Sequence, residues 1–210
     1  KVKTTQARKG VTRRAFNQKE LQQIFGSDYY RDGIYNCSYQ YWIIHLAAFT
    51  GARVSELSQL TTDDIKQDDE GLWYLNITAT DDDGKTVKNE ESRRIIPVHQ
   101  KLIELGFVEY VKTKREEAEK NKSPVNLFDL NKAKADGYGK AASQWFNTKY
   151  LREYLEIEDR NVVFHSFRHR FISSLAQAIL DASGLSEETA NKERIPEALI
   201  LRRLAGHSVA

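Results

Sequence analysis

Apolar positions at helical spacing begin early in the chain. Leu21, Ile24 and Phe25 follow Asn17, and Glu20 stands three residues after that asparagine, the spacing of a capping box in which each side chain reaches the other's backbone N–H. A helix is predicted from Asn17 to near Gly26. From Tyr39 to Phe49 the run YQYWIIHLAAF is apolar almost all round, which predicts a central buried helix broken at Thr50-Gly51, with His45 as a satisfied core histidine. FTGARVSELSQL then reads as the entrance of a further helix. The run Leu72, Tyr74, Leu75, Ile77 suggests a strand, Arg94 to Val98 gives a second strand, and the DDDGK turn lies between them. Helices are predicted again from about Gln100 to Asn121, Ala141 to Glu156, Ser166 to Ala182 and Pro196 to Ala205. The pattern is that of a mainly α protein with a small antiparallel β-sheet, and no internal repeat interrupts it.

With 210 residues and 40% hydrophobic content the chain can build a core of its own. No window approaches the roughly 18 apolar residues of a membrane span, and the opening KVKTTQARKG lacks the apolar stretch of a signal peptide, so a cytoplasmic location is expected. Cys37 is the single cysteine, which excludes an internal disulfide, and no Cys/His spacing suits zinc. No metal or other cofactor is expected.

The net charge of +2 hides an uneven distribution. Ten acids between Thr62 and Glu91 face only Lys66, Lys85 and Lys88, whereas Lys1, Lys3, Arg8, Lys9, Arg13 and Arg14 precede the first acid, Glu20. A second basic stretch runs from Lys112 to Lys140. Two basic stretches can flank a polyanion, although solvated surface lysines would look the same.

Two arginines do not fit their local surroundings. Arg53 stands at a helix entrance, where a positive charge opposes the helix dipole. At about 100° per residue, Arg168 falls inside the apolar arc of Phe167, Phe171, Ile172, Leu175 and Ile179, so it is expected to be at least partly buried. A guanidinium withdrawn from water needs an anion, and its planar fork suits a carboxylate or a phosphate. His165 lies three residues earlier on a neighbouring part of the same surface. Two readings stand: an internal ion pair, with Glu56 as partner, or an external phosphate.

TGARVSEL, HSFRHRF and LAGHS, in that order and with a charged hairpin after the first, resemble the tyrosine recombinase (phage integrase) family over essentially the whole chain. The resemblance implies the catalytic-domain fold of that family, mainly α with a small antiparallel sheet. It assigns Arg53 and Arg168 to gripping a scissile DNA phosphate, His165 to proton transfer at the nucleophile, and His207 to a hydrogen bond with the same phosphate. Glu56 would orient the site. The hairpin lysine that protonates the leaving 5′ oxygen would be Lys88, with Lys85 as the alternative because the register of DDDGKTVKNEE is open. Residues 1–14 resemble the basic linker that precedes the catalytic domain, leaving 15–210 as that domain.

The implied activity is metal-free site-specific recombination, integrating or excising a mobile element through a 3′-phosphotyrosyl intermediate. The partner is double-stranded DNA, bound by a homotetramer in a cytoplasmic, nucleoid-associated setting. In the family the nucleophilic tyrosine follows the GH string, and here the sequence stops at Ala210. A fragment lacking that segment is expected, binding DNA feebly and cleaving nothing. Tyr150 and Tyr154 do not match the motif. A type IB topoisomerase-like or telomere-resolving strand transferase, or a non-catalytic DNA-binding relic, are the alternatives.

Overall fold

A computed structural model describes residues 12–78, 93–130 and 137–183. Helix α1, Gln18–Gly26, begins as expected: Asn17 Oδ1 accepts from the Glu20 N–H at 2.9 Å, and Glu20 Oε2 accepts from the Asn17 N–H at 2.8 Å. A short helix α2, Asp28–Arg31, follows, and α3, Ser38–Thr50, is the buried central helix. Ile43, Ile44, Leu46 and Ala47 of α3 are almost wholly withdrawn from solvent, and His45 is buried with its Nδ1 2.7 Å from the Tyr41 carbonyl. Burial lowers the pKa of that imidazole, so it sits in the core uncharged.

What ends α3 also builds the site. Gly51 takes a left-handed conformation, φ 61°, and a methyl group placed on it would stand 2.5 Å from the Phe171 ring. Thr50 Oγ1 donates to the Leu46 carbonyl at 2.6 Å and accepts from the Ala52 N–H at 3.2 Å, so the turn closes on itself. The chain re-enters a helix at α4, Val54–Ser58. Gly51→Ala would combine left-handed strain with a ring clash. It is expected to lower the unfolding free energy by about 2–4 kcal/mol, read as a shifted urea midpoint at constant slope.

After a 3-10 turn at Thr62–Asp64, strands β1, Ile65–Gln67, β2, Trp73–Ile77, and β3, Arg94–Pro97, form an antiparallel sheet in the order β1-β2-β3. Its register lines up Ile65, Leu75 and Ile96 as one buried row, and Ile77 sits opposite Arg94 in the next. Strand β1 is an addition to the two strands expected. The single helix expected over 100–121 is two, α5, Gln100–Glu104, and α6, Phe107–Asn121, because Gly106 at φ 87° turns the chain between them. Helix α7, Gly139–Gln144, runs into a π-wound segment, Trp145–Tyr154, where a uniform α-helix was expected. The last described element is α8, Ser166–Ser183. The helix expected over 196–205 and the DDDGK turn lie outside the described residues.

The first turn of α8 is fixed by aromatic packing. Phe167 is buried with its ring centroid 4.8 Å from Phe16 and 5.3 Å from Phe146. The preceding loop is tied to the residues around the start of α1 by Arg14, which pairs with Asp159 at 2.7 Å and with Glu20 at 2.6 Å. Together these contacts set where Arg168, the residue after Phe167, must point.

Candidate active site

Three guanidiniums and one carboxylate meet where the Gly51 turn, α4, β3 and α8 converge. Arg53 caps α4 with its backbone: its N–H donates to Glu56 Oε2 at 2.7 Å, while its Nη1 reaches Glu56 Oε1 at 2.7 Å. The sequence puzzle of a cation at a helix start thus has a local answer, since the acid that completes the first turn also neutralises it. Glu56 is not a surface residue; its side chain is 1% exposed.

A second cation holds the same carboxylate. Arg94 Nη2 lies 2.9 Å from Glu56 Oε2 and Nη1 lies 3.3 Å from Oε1, a two-pronged contact by a side chain only 5% exposed. Sequence reasoning missed Arg94 as a site residue. In the structure Arg94, Ile96 and Val98 share the buried face of the strand, whereas Ile95 on the other face is exposed. Burial on its own would raise the Glu56 carboxyl. Arg94, followed by the backbone and side chain of Arg53, outweighs it and holds the group below the ordinary carboxylate range.

Arg168 is buried, 4% exposed, as its position in the apolar arc implied. The ion pair with Glu56 considered from the sequence is not made. Instead Arg168 Nη1 donates to the Gly51 carbonyl at 2.7 Å, and its Nη2 has no hydrogen-bond partner among the described residues. Glu56 is already committed to Arg53 and Arg94, which explains why it does not serve a third cation. Burial pushes the Arg168 guanidinium down to about 10, the neighbouring charges of Arg53 and Arg94 push the same way, and Glu56 opposes them. A depression of that size corresponds to about 3 kcal/mol of opposition to the charged form.

The structure therefore brings Arg53, Glu56 and Arg168 together and adds Arg94. His165 is exposed just before α8; its carbonyl accepts from the Arg168 N–H at 3.1 Å, and its ring centroid lies 5.0 Å from that of His169. Lys85, Lys88 and His207 lie outside the described residues. Tyr150 packs away from this cluster, its buried hydroxyl donating to the Ile24 carbonyl and meeting Ser27 Oγ at 2.9 Å, and burial pushes its phenol up. A buried phenol engaged in this way is a poor nucleophile.

Among the described residues no group of three or more His, Cys, Asp or Glu side chains is placed to hold a metal ion, and no helix is long and apolar enough to cross a membrane.

Two solved structures resemble the chain. The crystal structure of XerA recombinase is 16% identical at a TM-score of 0.49, over 98% of this chain and 58% of that one. The Tn1549 transposon integrase, solved in complex with transposon right end DNA, is 19% identical at a TM-score of 0.48, over 93% of this chain and 58% of that one. The chain thus spans 58% of the length of either structure. No curated protein matches it. The pattern that defines the phage integrase family matches residues 14–190, a span that contains Arg53, Arg94, His165 and Arg168 and stops short of His207. Because that span covers most of the sequence, the chain belongs to the phage integrase family.

Proposed function

We propose that this chain carries the phosphate-handling part of a DNA strand-transfer site. One observation supports the reading above all: Arg168 is buried against a carbonyl with no carboxylate of its own among the described residues, beside two more guanidiniums that share Glu56. Glu56 is shared by Arg53 and Arg94 and does not reach Arg168. A phosphodiester supplies one negative charge on paired oxygens, which a planar fork can meet.

In this reading Arg53 and Arg168 hold the non-bridging oxygens of a scissile phosphate in double-stranded DNA, where charge gathers as phosphorus is attacked. A tyrosine oxygen forms the new bond to phosphorus while the 5′ oxygen leaves, giving a 3′-phosphotyrosyl link. His165 helps to move the tyrosine proton, His207 adds a hydrogen bond to the phosphate, and Lys88, or Lys85, protonates the departing 5′ oxygen. A 5′ hydroxyl of a partner duplex then reverses the step, one phosphoester for another, so no energy source is consumed. The activity of the complete protein is site-specific recombination that integrates or excises a mobile element, carried out by a homotetramer on DNA.

The test uses the complete protein and a nicked suicide duplex that traps the covalent intermediate. Arg53→Ala is expected to slow trapping at least ~100-fold, and a variant that traps at the parental rate would refute the assignment. Lys88→Ala is expected to recover on a 5′-bridging phosphorothiolate, whose sulfur leaves without a proton. Failed rescue there, with rescue of Lys85→Ala, transfers the role to Lys85.

A further inference from the structure

We infer that Arg94 is a positioning residue for Arg53, acting through Glu56, and that it ties the arginine cluster to the strand leaving the β2–β3 connection; this rests on the phosphodiester reading above. Arg94 opens β3 and sits opposite Ile77 at the end of β2, so these two residues bracket that connection in register. Its side chain turns to the buried face and places both η nitrogens on the two oxygens of Glu56, at 2.9 and 3.3 Å.

A fork on a carboxylate fixes the plane of the carboxylate as well as its position. With that plane fixed, Glu56 Oε1 is aimed at Arg53 Nη1 and Oε2 at the Arg53 N–H, both at 2.7 Å. Without Arg94 the local contacts of Arg53 are what remain to orient Glu56 among the described residues. The fork of its η nitrogens on Glu56 makes Arg94 a support for that carboxylate. After burial, Arg94 is also the strongest influence on the ionisation of Glu56, ahead of Arg53. Strand β3 is thereby tied to α4, and Arg94 reaches Arg53 through two charge-assisted contacts on one carboxylate.

The experiment compares Arg94→Met, Arg94→Lys, Glu56→Gln and the Arg94→Met/Glu56→Gln double variant of the complete protein. Single-turnover cleavage of the suicide duplex, DNA affinity and the thermal midpoint are measured for each. Arg94→Met is expected to slow cleavage at saturating DNA roughly tenfold to a hundredfold, with DNA affinity changed less than about threefold and with partial recovery in Arg94→Lys. The double variant is expected to be no slower than Glu56→Gln alone. Unchanged cleavage in folded Arg94→Met, or losses that multiply in the double variant, would overturn the inference. The parental lane and Arg168→Met report separately on the phosphodiester reading. In a reference that needs no DNA, the Glu56 carboxyl followed by 13C NMR is expected to titrate higher in Arg94→Lys and Arg94→Met than in the parent; an unmoved titration sinks the link whatever the DNA assays give.

Discussion

Glu56→Ala is expected to lower the unfolding free energy by about 3–5 kcal/mol, the range measured when one member of a buried ion pair is removed. The reason lies in what remains. Glu56 is 1% exposed and is the carboxylate on which Arg53 and Arg94 converge, so its loss removes a shared counter-charge from the buried Arg94 and the partly exposed Arg53, with Arg168 beside them. The α4 cap disappears as well, adding about 1 kcal/mol. Alanine's better helix propensity recovers at most ~0.7 kcal/mol, too little to alter the outcome. Urea unfolding of the parent and the variant measures it.

The same carboxylate predicts a pH signature. Its folded pKa is held below the unfolded value of 4.5, so its stabilising contribution is fully present above pH 4.5 and is lost as pH falls through the folded value. Glu56→Gln keeps the shape and loses the charge. The stability gap between parent and Glu56→Gln is therefore expected to be widest above pH 4.5 and to narrow on acidification below it. A gap independent of pH would mean that shape and not charge holds the cluster.

Which parts of this arrangement could be read before the fold was in hand follows from the range of the forces involved. The Asn17 capping box and the Thr50-Gly51 break are set by neighbours a few residues away, and both appear in place. The burial of Arg168 was legible because a helix has one period and five of its apolar neighbours define the face. Arg94 was not, for two reasons. Ile95 is as apolar as Ile96, so parity could not say which face of β3 was buried, and Glu56 lies 38 residues away in sequence. Strand β1, three residues long, is too short to show alternation. The π-wound segment after α7 replaces a regular helix over residues whose periodicity looks ordinary, and the turn at Gly106 interrupts a pattern that is apolar on both sides. The partner of Arg168 was also open: the sequence allowed Glu56 to be its counter-ion, and only the competing claim of Arg94 on that carboxylate removes it.

Arg168→Met is expected to have the opposite signature to Glu56→Ala, with stability within about 1 kcal/mol of the parent and DNA cleavage slowed by ~10²–10³. Keeping Arg168 charged is opposed by about 3 kcal/mol through burial and the repulsion of Arg53 and Arg94, so its removal relieves a burden. Against that relief stand the lost bond to the Gly51 carbonyl, worth about 1 kcal/mol, and the carbonyl's own desolvation of about 1–3 kcal/mol. Methionine extends the apolar arc of Phe167 and Phe171 and fills much of the vacated volume. Arg168→Lys separates charge from shape, since an ammonium keeps the positive charge and cannot fork onto two phosphate oxygens; it too is expected to cleave slowly. Phosphate or a short duplex should raise the thermal midpoint of the parent more than that of Arg168→Met, because an anion binding the folded state stabilises it only where the cation is present. If Arg168→Met instead lost 3 kcal/mol or more while the surviving folded protein cleaved at the parental rate, the buried guanidinium would be an internal prop. Its burial without a carboxylate partner among the described residues would then have nothing to do with DNA.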